Sequence, residues 1–217
     1  MARSPRLAPS LRPRRLRAHS PPIVEPWLVV GLGNPGPAYA SHRHNIGYVV
    51  VDELARRLGI RFSAPRGMRA EVAEGRLGLI GPDAVRVILA KSRTFMNETG
   101  GAVAGLLNYF KITPDRLVVV HDELDIELGQ LRSKVGGGDN GHNGLKSIRK
   151  SLGTGDFYRV RFGVGRPPGR QDPADFLLSN FSAGERDSLA VEVERAADAV
   201  ESLVTVGLDR TQSAYNS

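Results

Sequence analysis

From residue 27 onward, short runs of β-branched residues alternate with stretches whose apolar side chains recur every three or four positions, and this alternation limits the fold more than any other feature. Runs such as WLVVG at 27–31, VRVILA at 85–90 and LVVVH at 117–121 are apolar on both faces, as strands must be when helices cover both sides of a sheet. RLGLIG at 76–81, LGQLRSKV at 128–135 and YRVRFGVG at 158–165 complete the predicted strands. Between them, Ile46, Val50, Leu54 and Leu58 form the stripe of a helix over 46–58, and Val103, Leu106, Leu107 and Phe110 that of another over 99–110. A third helix is predicted over 143–152, stopped by Gly153, and a fourth over 173–179, with Asp172 as cap and Pro173 in the first turn. The last runs over about 183–206, opened by the capping pair Ser182 and Glu185. The expected fold is α/β: a single domain with a twisted mixed β-sheet flanked by helices.

The formal net charge of +7 is carried mostly outside this patterned region. Residues 1–26 hold six Arg against one acid, Glu25, with Pro at 5, 9, 13, 21, 22 and 26, a composition that predicts a disordered basic leader. The expected organisation is this leader, one folded domain over 27–208 and a polar, frayed tail over 209–217. With the leader set aside the charges nearly balance, so any nucleic-acid contact must come from local patches. The absence of Cys excludes disulfides, Cys-zinc sites and thiol nucleophiles. No apolar run approaches the roughly 20 residues a membrane helix needs, and the leader lacks the apolar stretch of a secretory signal, so the expected location is cytoplasmic.

Five polar segments interrupt the pattern. GLGNPG at 31–36 satisfies G-x-G-x-x-G literally, but Pro35 and Pro37 flank its last Gly and no helix is predicted to follow, so the dinucleotide-binding reading fails on context. The glycines there permit sharp turning and close approach of another chain, and Asn34 offers an amide at the strand's end. HRHN at 42–45 places His44 just before a helix that Asn45 is expected to cap, and TFMNETGG at 94–101 places Asn97 in a strand-to-helix loop. VVVHDELDIELG at 118–129 ends an apolar strand in acids, of which Asp122 is best placed for a site. GGGDNGHNGLKSI at 136–148 brings His142 and Asn143 to a helix start, where free N–H groups suit an oxyanion or phosphate. Just upstream, Arg132 and Lys134 alternate on a strand and project from one face, a candidate phosphate contact.

These loops supply His, Asp and three Asn, with no Ser or Cys nucleophile motif. That inventory suits water activated by a His-Asp pair, with amides holding a carbonyl and its oxyanion. His42 and His44 lack a third residue at metal-ligand spacing, so no metal or other cofactor is expected.

GLGNPGPAYASHRHNIGYVVVDELA, KSRTFMNETGGAV, VVHDELDIELGQLRSKVGGGDNGHNGLKSI and FYRVRFGVGRPP, taken in order over about residues 27–208, closely resemble the bacterial-type peptidyl-tRNA hydrolases. The resemblance implies a monomeric enzyme that cleaves the ester joining a peptide to the tRNA 3′ end. It implies His44 as general base, Asp122 as its orienting carboxylate, and Asn34 and Asn97 as amides that bind peptide backbone and place the water. Asn143 is implied to hold the ester and its oxyanion, and Tyr39 and Met96 to line the cleft for the peptide and the 3′ end. Arg132 and Lys134 would take tRNA phosphate, with His142 in a secondary positional role. The residue before RHN is commonly Thr in the family and is His42 here, which is expected to alter local hydrogen bonding without removing the base.

Overall fold

A computed structural model describes residues 25–78, 81 and 84–216. The predicted leader lies almost wholly outside the described residues, as do Leu79 and Ile80 of the strand expected over 76–81. Six strands, β1 (Trp27–Gly31), β2 (Ala70–Leu77), β3 (Val85–Ser92), β4 (Leu117–Glu123), β5 (Leu131–Val135) and β6 (Tyr158–Gly163), form one sheet in the order β2-β3-β1-β4-β6-β5. The four central strands run parallel, and β2 and β5 close the edges antiparallel.

Helices α1 (Ile46–Leu58), α2 (Thr99–Phe110) and α3 (Asn143–Leu152) have the predicted bounds, while α4 (Pro173–Leu177) and α5 (Ala183–Thr205) stop slightly early. Alternate strand residues feed two cores. Val29, Val118 and Val120 pack with α1 and α5, whereas Leu28, Leu117 and Val119 pack with α2 and α3. Both faces of the sheet are therefore covered, which accounts for the unbroken apolar runs of the central strands.

Two expectations need correction. The strand before β3 spans Ala70–Leu77, not 76–81, and pairs along its whole length from Ala70↔Ser92 to Leu77↔Val85. Its first six residues, AEVAEG, set small residues and one Val around two Glu, a weak apolar signal on a strand at the sheet edge, and the chain leaves the strand at Gly78, whose φ of 88° favours glycine. The C-terminal segment is not frayed: Leu208–Tyr215 is helix α6, with Thr211 fully buried. Gln212 and Asn216 hydrogen-bond the backbone of Ser133 on β5, so polar side chains serve the outer edge of a strand whose other edge pairs with β6.

Because β1, β3, β4 and β6 are parallel, their carboxyl ends open on one edge of the sheet, the usual place for a site in such a fold. The start of α1 is pressed onto that edge. A Cβ on Gly31 would lie 2.2 Å from the Gly47 carbonyl oxygen, and one on Gly47 would lie 2.3 Å from that of Val120. GLGNPG is thus a close-approach loop, followed by a single 3-10 turn at Pro37–Tyr39 and not by the helix of a dinucleotide site.

Candidate active site

A cleft of about 1140 Å³ lies at this edge, lined among others by Asn34, His44, Met96, Asn97, Asp122, His142 and Asn143. Strand β4 carries Asp122, which is 2 % exposed. The 3-10 turn Arg43–Asn45 ahead of α1 carries His44, which is 7 % exposed. The Nδ1 of His44 lies 2.9 and 3.0 Å from the two Asp122 carboxylate oxygens. A carboxylate only accepts, so Nδ1 carries the proton and Nε2 keeps its lone pair on the cleft side.

A second imidazole shares that carboxylate. The Nδ1 of His142 accepts the N–H groups of Gly144 and Leu145 at the start of α3, so its proton sits on Nε2, which donates to Asp122 Oδ1 at 3.0 Å. This corrects the expectation of free N–H groups at that helix start: His142 occupies two of them, and the Lys146 N–H goes to the His142 carbonyl. The Asn143 N–H is not among those taken, and its side chain is exposed beside it. Sequence reasoning gave His142 only a positional role. Its direct bond to Asp122 joins residues twenty apart, which no local pattern announces.

Electrostatics follow the geometry. Burial works to lower the pKa of His44, but the Asp122 charge and hydrogen bond outweigh it, and the net direction is up. Burial works to raise Asp122, but His44 and His142 hold it well below the usual carboxylate range. The pair is therefore suited to receive a proton on His44 while Asp122 stays ionised. One nitrogen of each imidazole and an Asp122 oxygen lie within 4.8 Å of one another, a spacing a metal could use. In the present arrangement the nitrogens facing Asp122 carry the protons of its two hydrogen bonds, so a metal would have to displace both.

Asn34 is fixed from two sides. Its Oδ1 accepts the Met96 N–H at 2.8 Å, and its own backbone is paired with the Asn45 side chain. With Oδ1 already held by Met96, Nδ2 is the group Asn34 has left wholly for the cleft, where it can donate to a carbonyl. Asn45, expected as a cap of α1, makes no capping bond; its amide is spent on Asn34. Asn97 and Asn143 both face the cleft as exposed amides, and Met96 lines it while buried.

Three predicted residues stand away from the cleft wall. Tyr39 packs edge-on against Phe95, which is 52 % exposed and does line it, and against His42. His42 bridges to Asn180 through its backbone, so the departure at this position leaves His44 and Asp122 paired. Arg132 and Lys134 share a face of β5 opposite Arg161 and Arg159 of β6. Burial and then the Arg161 and Arg159 charges lower the pKa of Lys134, the mark of a surface that gathers positive charge. Arg161 is tied to Glu123 and Arg159 to the carbonyls of Gly137 and Gly138, leaving Arg132 and Lys134 without a salt-bridge partner among the described residues.

Comparison with known proteins follows the same line. The family model described as peptidyl-tRNA hydrolase matches residues 28–217. The peptidyl-tRNA hydrolase of Streptomyces coelicolor is 61 % identical over 192 residues, covering 88 % of this chain and 96 % of that protein. That of Cutibacterium acnes is 56 % identical over 196 residues, covering 88 % and 98 %. The crystal structure of peptidyl-tRNA hydrolase from Acinetobacter baumannii superposes with a TM-score of 0.79 at 31 % identity, covering 88 % of this chain and 96 % of that one.

Proposed function

The chain belongs to the peptidyl-tRNA hydrolase family, and from that premise we propose that it hydrolyses the ester between peptide and tRNA through a water activated by His44. The observation that carries this reading is the Asp122 carboxylate on His44 Nδ1, which leaves Nε2 as the base within the cleft. An ester has a better leaving group than an amide, so a positioned water and a neutral imidazole can suffice without a metal or a covalent intermediate.

In the proposed reaction the Nδ2 of Asn34 and the amide of Asn97 hold peptide backbone and the water. His44 Nε2 takes the water's proton as its oxygen attacks the ester carbonyl, and Asp122 stabilises the imidazolium that forms. The Asn143 amide donates to the developing oxyanion. Collapse of the tetrahedral species expels the ribose oxygen, which receives the proton from His44, releasing peptide and tRNA. Amides suit a substrate whose shared part is peptide backbone, because they read N–H and C=O and not side chains. Met96 and Phe95, with Tyr39 behind it, form the apolar floor and wall of the cleft for the peptide and the 3′ end. Arg132 and Lys134 take backbone phosphate of the acceptor end outside the cleft. Among the described residues no helix is long and apolar enough to cross a membrane, and we place the enzyme in the cytoplasm as a monomer.

The test is release of N-acetyl-amino acid from N-acetyl-aminoacyl-tRNA in the presence of EDTA, for the chain and its His44→Ala variant. Hydrolysis by the first, reduced by about 10² to 10⁴ in the second, is expected. Absence of hydrolysis by either, with tRNA still bound, would replace the enzyme with an RNA-binding reading.

A further inference from the structure

Strand β4 outruns its neighbour. Its pairing with β1 ends at Gly31↔Val120, and Leu32 N–H gives the last bond to the Val120 carbonyl before the β1 chain turns away. On the other side β6 continues to Glu123↔Gly163. In a parallel strand the carbonyls of residues two apart point the same way, so the Asp122 carbonyl faces the side that β1 has vacated. A buried carbonyl there needs a donor. The Nδ1 of His121, itself 1 % exposed, supplies it at 2.7 Å.

The His121 ring also meets one of the site's imidazoles. Its Nε2 is buried with no hydrogen-bond partner among the described residues, and the ring stands edge-to-face against His142 at 5.0 Å between centroids. Leaving that nitrogen unpaired is unfavourable, so packing alone would favour an apolar residue here. What an apolar residue cannot supply is the N–H for the Asp122 carbonyl. Resting on the hydrolase reading above, we infer that His121 is a positioning residue, whose N–H holds the Asp122 peptide and whose ring backs His142, so that the carboxylate meets both imidazoles. Titratable groups around it are Asp122 on the same strand, His142 ahead of α3 and Arg159 on β6; His44 faces Asp122 and the His142 ring. Burial first, and then coupling to the His142 imidazole, keep the ring neutral, with a pKa pushed down to about 3.

Asparagine distinguishes this role from simple filling, because its amide nitrogen is bonded to Cγ as Nδ1 is. The experiment measures kcat and KM on N-acetyl-aminoacyl-tRNA, and the His44 ring-proton titration by NMR, for the parent chain, His121→Leu and His121→Asn. The Leu variant is expected to lose on the order of 10- to 100-fold in kcat with KM within about twofold, the scale of a misplaced catalytic group. Its His44 titration should move to lower pH as Asp122 drifts from the ring. The Asn variant should recover most of the turnover and the parent titration. Equal loss in both variants, or an unmoved His44 titration in the Leu variant, overturns the inference. If the Leu variant does not fold, a folded Asn variant decides: recovery supports the role, and turnover an order of magnitude below the parent removes it. A parent chain that hydrolyses nothing refutes the hydrolase reading instead, because the His44 titration reports the placement of Asp122 without any substrate.

Discussion

Asn45 grips Asn34 with both ends of its side-chain amide: Oδ1 accepts the Asn34 N–H at 2.9 Å, and Nδ2 donates to the Asn34 carbonyl at 2.9 Å. Both residues are buried, so the pair acts as a two-residue strand ladder made with one side chain. It fixes the loop that aims Asn34 Nδ2 into the cleft. Replacing Asn45 by Ala strands a buried N–H and a buried C=O and should cost about 1 to 3 kcal/mol each. Denaturant unfolding should show the loss, and turnover should fall with it. Asn45→Asp keeps the acceptor and loses the donor, so it should fall between parent and Ala; equal stability of all three chains would contradict the clamp.

The pH dependence of turnover follows from His44. Its pKa is raised because Asp122 outweighs burial, and in the proposed mechanism the base form is the active one. The acid limb of kcat/KM should therefore lie above the ordinary histidine value of about 6.5. In Asp122→Asn the opposing burial acts alone, so the limb should shift below that value while kcat drops by about 10² to 10⁴. A variant that loses rate without moving the limb would show that Asp122 acts by some route other than the imidazole.

Stability should respond to acid through His121. Its folded pKa of about 3 lies below the unfolded value, so the unfolded chain binds a proton the folded chain refuses. The contribution is complete above about pH 6.5 and declines as pH falls toward 3, with a limiting slope of about 1.4 kcal/mol per pH unit. His44 adds no slope there, because a raised pKa leaves it protonated in both states; its contribution is lost instead as pH rises through its folded value. Urea unfolding of His121→Asn at pH 7 and 5 should show a smaller difference than the parent. Parallel curves would place the acid sensitivity elsewhere.

Arg43 ties the His44 turn to the cleft wall. Its guanidinium grips Glu185, the capping-box residue of α5, through two bonds of 2.8 and 2.7 Å, and lies over the rings of Phe176 and Phe181 at 4.2 and 4.8 Å. Lysine keeps the charge but neither the fork nor the flat face. Arg43→Lys should cost about 2 to 3 kcal/mol, less than a fully buried pair because Glu185 is partly exposed. Circular dichroism during denaturation measures it, and a loss below about 0.5 kcal/mol would make the contact incidental.

Local signals carried the helices and remote ones did not carry the site. The stripe from Ile46 to Leu58, the Ser182–Glu185 capping box and the Gly153 stop are each readable within a few residues, and those helix starts or ends stand where expected. The AEVAEG part of β2 is obscured because its register comes from β3, and α6 because its partner is the Ser133 backbone, 79 and 83 residues before Gln212 and Asn216. In the site, His44, Asp122 and the amides could be named from loop position, strand ends and resemblance. The sharing of one carboxylate by His44 and His142, and the use of Asn45 as a clamp, arise from the meeting of loops from different strands.

Arg132 and Lys134 lie on β5, outside the cleft, where no group of a short ester would reach if only the peptide side occupies the site. Their partners across the strand, Arg161 and Arg159, are committed to Glu123 and to backbone carbonyls, so of these four cations the two on β5 have no salt-bridge partner among the described residues. Changing both to Ala should raise KM for tRNA substrates and leave minimal N-acetyl esters unaffected. Each lost phosphate contact should also flatten the dependence of log affinity on log salt, by about 0.7 to 0.9 per contact. Removing Asn216, which pairs with the Ser133 backbone between them, should have the same selectivity in weaker form, because it loosens the strand without touching its charges. Equal losses on tRNA and minimal substrates would move the role of this face from phosphate binding to the fold.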